Sequence, residues 1–65
     1  MRVEVKAYHD GEFWCGRGRH ADFFTQGKTL DELLKNVKEA ASLHFDRELR
    51  TGKVLRLLIS SDVVV

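Results

Sequence analysis

Thr29 and Glu32 stand three residues apart, immediately ahead of apolar residues at helical spacing. A threonine hydroxyl placed there accepts from the backbone N–H three residues on. The glutamate reaches back to the N–H of Thr29, so two donors that a helix start leaves orphaned are satisfied reciprocally. Gly27-Lys28 turns the chain into this start from Phe23-Phe24-Thr25-Gln26, a short aromatic strand. Beyond it, Leu30, Leu33, Leu34, Val37, Ala40 and Ala41 recur at spacings of three and four, with His44 or Phe45 next. This is one amphipathic stripe, and Asp31, Glu32, Lys35, Lys38 and Glu39 lie away from it. Arg47, Arg50 and Gly52 mark its end, with positive charge suited to a helix C-terminus. Gly27, Thr29 and Glu32 are therefore read as structural residues that position a single long helix.

The rest of the chain must supply the sheet on which that helix packs. Residues 2–8 alternate, with Val3, Val5 and Ala7 on one face and Arg2, Glu4, Lys6 and Tyr8 on the other. Asp10-Gly11 predicts a two-residue type I′ hairpin turn. That turn would set His9 opposite Glu12, Tyr8 opposite Phe13, Lys6 opposite Cys15 and Glu4 opposite Arg17. Gly16 and Gly18 then share the Val3, Val5 and Ala7 face, leaving room for a close helix. Residues 19–22 read as a loop, and residues 53–60 as a last strand with Leu55, Leu57 and Ile59 inward. A right-handed crossover through the helix brings that strand parallel to the first. The expectation is one α+β domain over residues 1–65, β-β-β-α-β, with a mixed four-stranded sheet in the order 3-2-1-4. One helix covers one face. The other face carries Tyr8, Phe13, Cys15 and Leu58 among charges, and calls for a second subunit or a ligand.

A chain of 65 residues with one cysteine has no internal disulfide to support its small core. Burial against a second copy is the usual remedy, so a homodimer or higher oligomer is expected, with the last strand and Val63-Val64-Val65 as candidate pairing edges. Eleven basic and ten acidic residues give a net charge of +1, which argues against nucleic-acid binding by bulk charge. No apolar run is long enough to span a bilayer, and the charged N-terminus lacks a signal peptide's apolar segment. The single free cysteine suits a reducing cytoplasm.

Catalytic constellations are weak. Glu4, Asp31, Glu32 and Glu39 do not converge as two-metal nuclease chemistry requires. Cys15 has no base on its strand face, and His9, His20 and His44 lack zinc-ligand spacing. No enzyme, catalytic residue, metal or cofactor is expected. The best polar candidate is Gly16-Arg17-Gly18-Arg19-His20, read as a loop whose arginines and glycines can cradle phosphates. With Tyr8, Phe13 and Phe24 it would make a sheet platform for single-stranded RNA. Tyr8, Phe13, Arg17, Arg19 and His20 are thus the expected contacts for a protein partner or for RNA.

Two stretches, Tyr8-His9-Asp10-Gly11-Glu12-Phe13-Trp14 and Thr25-Gln26-Gly27-Lys28-Thr29-Leu30-Asp31-Glu32-Leu33, resemble the HicB-like antitoxin family, and Asn36-Val37-Lys38-Glu39-Ala40 continues the likeness. The resemblance covers roughly residues 3–45 and implies a partial ribonuclease H fold. It also implies a non-catalytic partner that neutralises a small mRNA-cleaving toxin by direct contact. Many such proteins carry a C-terminal DNA-binding domain. This sequence stops at Val65 without one, so DNA binding is not expected. A stand-alone RNA-binding module built on Arg17–His20 is the second reading.

Overall fold

The computed structural model describes residues 1–61, and the Val63–Val65 tail lies outside them. In chain order the elements are β1 (Arg2–His9), β2 (Trp14–Gly18), β3 (Phe24–Gly27), α1 (Leu30–His44), α2 (Asp46–Arg50) and β4 (Arg56–Ser61). They build an α+β domain with a mixed sheet in the order β3-β2-β1-β4. β1 runs antiparallel to β2 and parallel to β4, as a helical crossover demands.

The β1–β2 hairpin differs from the expected two-residue turn. Asp10 to Phe13 form a four-residue loop, closed by the Asp10 N–H donating to the Phe13 carbonyl at 3.0 Å. Asp10 Oδ1 also accepts from the N–H groups of Glu12 (2.9 Å) and Phe13 (2.7 Å). An aspartate that captures the next backbone donors makes a turn of its own and overrides the Asp-Gly preference. Gly11 supplies the left-handed residue, at φ 104°.

The register consequently moves by two residues: His9 opposes Trp14, Tyr8 opposes Cys15, and Lys6 opposes Arg17. An even shift keeps every side chain on its own face while changing every cross-strand pair. Tyr8 therefore does not meet Phe13, and Glu4 pairs with Arg19 at 3.7 Å instead of Arg17.

Val3, Val5 and Ala7 from β1 and Leu33 and Val37 from α1 form the buried core, with Trp14, Phe23, Phe45, Leu55 and Leu57 packed against it. α1 lies mainly over β3 and β2. Its buried stripe is Leu33, Val37 and Ala41, narrower than the sequence pattern, because Leu30 remains 44% exposed. Close approach is possible because β2 presents Gly16. A Cβ there would stand 2.9 Å from Val37 Cγ2 and 3.3 Å from Leu33 Cδ1.

The helix start forms as expected at its centre, with Thr29 Oγ1 accepting from the Glu32 N–H at 3.1 Å. The return bond goes one residue further back: Glu32 Oε1 accepts from the Lys28 N–H at 3.2 Å. The helix ends earlier than the sequence suggests. Phe45 leaves helical geometry at φ −105°, ψ 29°, while its ring packs on the core and edge-on to His44, centroids 4.8 Å apart. Burial of that ring outweighs one more turn of helix. α2 restarts at Asp46, which Arg50 Nε contacts at 2.9 Å. Residues 53–55 run outside the ladder, so β4 begins at Arg56.

A clamp that no sequence pattern announced ties α1 to the sheet. Asn36 Nδ2 donates to the Gln26 carbonyl at 2.8 Å. The Gly18 N–H donates to the Phe23 carbonyl at 3.0 Å, which sets Phe23, Thr25 and Gly27 to bond with β2. Gln26 therefore turns its carbonyl to the open edge of β3, where Asn36 meets it.

Candidate functional site

The sheet face opposite α1 gathers the polar side chains that the fold does not consume. Alternation along the strands places Arg2, Glu4, Lys6 and Tyr8 there from β1, and Cys15 and Arg17 from β2. Phe24 and Gln26 join from β3, and Arg56, Leu58 and Ser60 from β4. Arg19 follows directly after β2 and reaches the same face, since it pairs with Glu4.

Of the 11 basic residues, five lie here: Arg2, Lys6, Arg17, Arg19 and Arg56. Glu4 is the one acid among the described residues on these strands, and Asp10 sits at the hairpin end. Removing those residues from the totals leaves six basic and eight acidic residues, Asp62 among the latter, for the rest of the chain. A near-neutral composition thus conceals a segregated surface.

An open groove of about 680 Å³ crosses this face, with Arg2, Lys6, Arg17, Arg19 and Leu58 among its walls. Phe24 is 50% exposed beside Arg17, and Tyr8 is 37% exposed. Three of the expected contact residues, Tyr8, Arg17 and Arg19, are therefore brought together. Arg17 does so from within β2, not from a loop. Phe13 belongs to the turn and has no place in the β2 ladder. His20 instead lines a smaller hollow of about 220 Å³ at the end of the sheet, with Met1, Ala21 and Phe45. Gly27, Thr29 and Glu32 stay on the helix side as structural residues.

Arg2 and Arg56 belong to the site, although they did not stand out in the sequence. The signal that finds them is positional: both occupy the outward phase of their strands, as Lys6 and Arg17 do.

Cys15 sits on this same face yet is buried. Its Sγ lies 3.6 Å from Asp10 Oδ2 and 3.8 Å from the Phe13 carbonyl. Burial, reinforced by the Asp10 charge, pushes the thiol above its ordinary value of 9.0. A protonated, covered thiol is a poor nucleophile. His9 is no base for it, because His9 stands opposite Trp14 on the inner face, rings 5.3 Å apart. Among the described residues, no three His, Cys, Asp or Glu side chains group as metal ligands would. No helix there is long and apolar enough to cross a membrane.

The Asp10 carboxyl is held below its ordinary 3.8, first by the N–H of Phe13 and next by that of Glu12. A carboxylate favoured by the folded turn contributes stability in full above the unfolded value near 3.8. That contribution is lost as pH falls through the lower folded value. Asp10→Asn should therefore lower the melting temperature near neutrality, where the carboxylate's contribution is complete, and flatten the acid limb, so that variant and wild type converge as pH falls. An unchanged acid limb would show that the turn does not titrate as described.

Compared with family models, curated proteins and solved structures, the chain gives no match.

Proposed function

We propose that this chain is a non-catalytic binding domain, working as an oligomer in the manner of a HicB-like antitoxin that restrains a small mRNA-cleaving toxin. The observation that carries the reading is an apolar flank on the helix side. α1 leaves the β4 margin uncovered, so Leu43 is 80%, Val54 77% and Ile59 37% exposed. Val54 lines a groove of about 610 Å³ with Leu49, Leu55 and Leu57, bordered by Lys38 and Ser42, and Leu43 lines a neighbouring hollow against the same Lys38 and Ser42. Contiguous apolar surface of this kind is what a protein partner buries.

Charge supports the same partner. A protein that grips mRNA phosphates is basic on its working surface. Among the described residues away from the outer sheet face and the hairpin end, acidic and basic side chains nearly balance, so that side does not repel such a protein, whereas the outer face does. For the same reason two copies do not pair through their outer faces, where cation would meet cation. The edge of β4 is the place for self-association.

The test is co-expression with the toxin encoded in a neighbouring reading frame, following cleavage of a reporter mRNA. Cleavage should stop at equal amounts of the two proteins and return with a Leu43→Glu/Val54→Glu double variant. Both positions are exposed, so the variant should fold. If no such neighbour exists, or if cleavage continues beside the wild-type chain, the antitoxin reading is removed.

A further inference from the structure

We propose that the outer sheet face is a binding site for a single-stranded polynucleotide, held by Arg2, Arg17 and Arg56 and stacked on Phe24. This inference stands apart from the toxin reading, which uses the opposite side of the molecule.

The first observation is a conflict the fold does not need. In the parallel register Arg2 lies directly opposite Arg56, and in the antiparallel one Lys6 lies directly opposite Arg17. Like charges directly across a sheet destabilise it. Glu4 is placed between these rows but is engaged with Arg19 at 3.7 Å. Lys6 has a further interaction of its own, so the repulsion argument rests on Arg2 and Arg56, and Arg17 enters by its place in the groove beside Phe24. An anionic ligand turns the Arg2–Arg56 repulsion into attraction.

The second observation concerns the shape of that anion. The cations are not a cluster around a point: Arg2 and Arg17 line the 680 Å³ groove, and Arg56 stands directly opposite Arg2. Arg17 lies opposite Lys6, four positions along β1 from Arg2, so it stands about 13 Å along the sheet from the Arg2–Arg56 pair. One small anion does not span that distance, whereas successive phosphates of an extended strand do.

The third observation separates a polynucleotide from an acidic protein. Phe24, half exposed, stands directly opposite Arg17, so one cross-strand pair offers a ring for a base and a guanidinium for the adjoining phosphate. Tyr8 supplies a second exposed ring toward the hairpin end. Rings interleaved with cations on an open sheet are how single strands are held, because unpaired bases offer their faces and a duplex does not.

Fluorescence anisotropy of a labelled oligouridylate of about a dozen nucleotides tests the proposal. Binding should weaken with salt at about −0.7 in log K per log salt for each phosphate neutralised. The Arg2→Gln/Arg56→Gln variant should flatten that slope by about one to one and a half. Arg17→Gln should flatten it further. Phe24→Leu should lose roughly tenfold in affinity with the slope unchanged. The same Arg56→Gln change should raise the melting temperature by a few degrees, since it relieves a like-charge pair, and the melt also shows that the variant folds.

A deoxythymidylate of equal length tells the two sources of the ligand apart. Preference for the ribose form assigns RNA, and equal or stronger binding of the deoxy form assigns single-stranded DNA. The absence of binding at low salt would overturn the proposal. So would duplex RNA or polyglutamate binding as tightly as the single strand, or a slope indifferent to the arginine variants.

Discussion

Leu33→Ala is expected to leave much of the chain unfolded at physiological temperature. Leu33 has no exposed surface and belongs to the core that joins α1 to β1. Truncating a leucine so placed costs about 2–5 kcal/mol, from lost transfer energy and from the cavity left behind. At roughly 0.05–0.15 kcal/mol per residue, a chain of this length has only about 3–10 kcal/mol in total. The core is small, and Cys15 is a free thiol, so no disulfide backs it up. A melt followed by circular dichroism should fall by more than about 10 °C, given about 4–8 °C per kcal/mol in a domain of this size. Leu43→Ala is the matched control, because Leu43 is 80% exposed and its loss should be nearly silent. Similar melts for the two variants would mean that the core is not where Leu33, Val37 and Val5 place it.

Gly27→Ala should also be strongly damaging, for want of space. A Cβ on Gly27 would sit 2.6 Å from the Leu33 backbone nitrogen and 2.9 Å from the Glu32 carbonyl carbon. Both are backbone atoms of the first helical turn, so no side-chain rotation can relieve the contact. The turn itself must retreat from β3, weakening the Thr29 cap and the Asn36 clamp as it goes. Overpacking of this kind costs about 1–3 kcal/mol. Gly11→Ala makes the useful contrast. Nothing lies within 4 Å of a Cβ there, and its φ of 104° is the sole obstacle. Hydrogen exchange distinguishes the two: Gly27→Ala should speed exchange at the start of α1, whereas Gly11→Ala should disturb the hairpin. Unaltered protection of the first turn in Gly27→Ala would refute the close approach.

The alternation of residues 2–8, the stripe from Leu33 to Ala41 and the Thr29 cap were enough to reach the strand order. Each reports a local preference that tertiary packing reinforces. The hairpin register was not reachable in that way. Asp-Gly is a backbone preference, and it lost to the Asp10 carboxylate, whose bonds to Glu12 and Phe13 form only once the loop is long enough. The misread turn did little harm to the faces, since a two-residue slip conserves them. It did misassign the pairs: where Glu4 opposite Arg17 was expected, Lys6 stands opposite Arg17 and Glu4 turns to Arg19. The end of α1 escaped notice for a related reason. Helix propensity runs on through residues 46–50, and only the burial of the Phe45 ring divides it.

The Asn36 clamp on Gln26 has a consequence for how far the protein can assemble. It occupies an acceptor on one margin of the sheet and, among the described residues, leaves β4 as the unguarded margin. A sheet open on both sides can recruit copies head to tail without limit, as fibrils do. A sheet blocked on one side has a single sticky margin, and two such margins meet about a two-fold axis and satisfy each other. One side-chain amide would then hold self-association to a closed pair and keep the growth of filaments from starting.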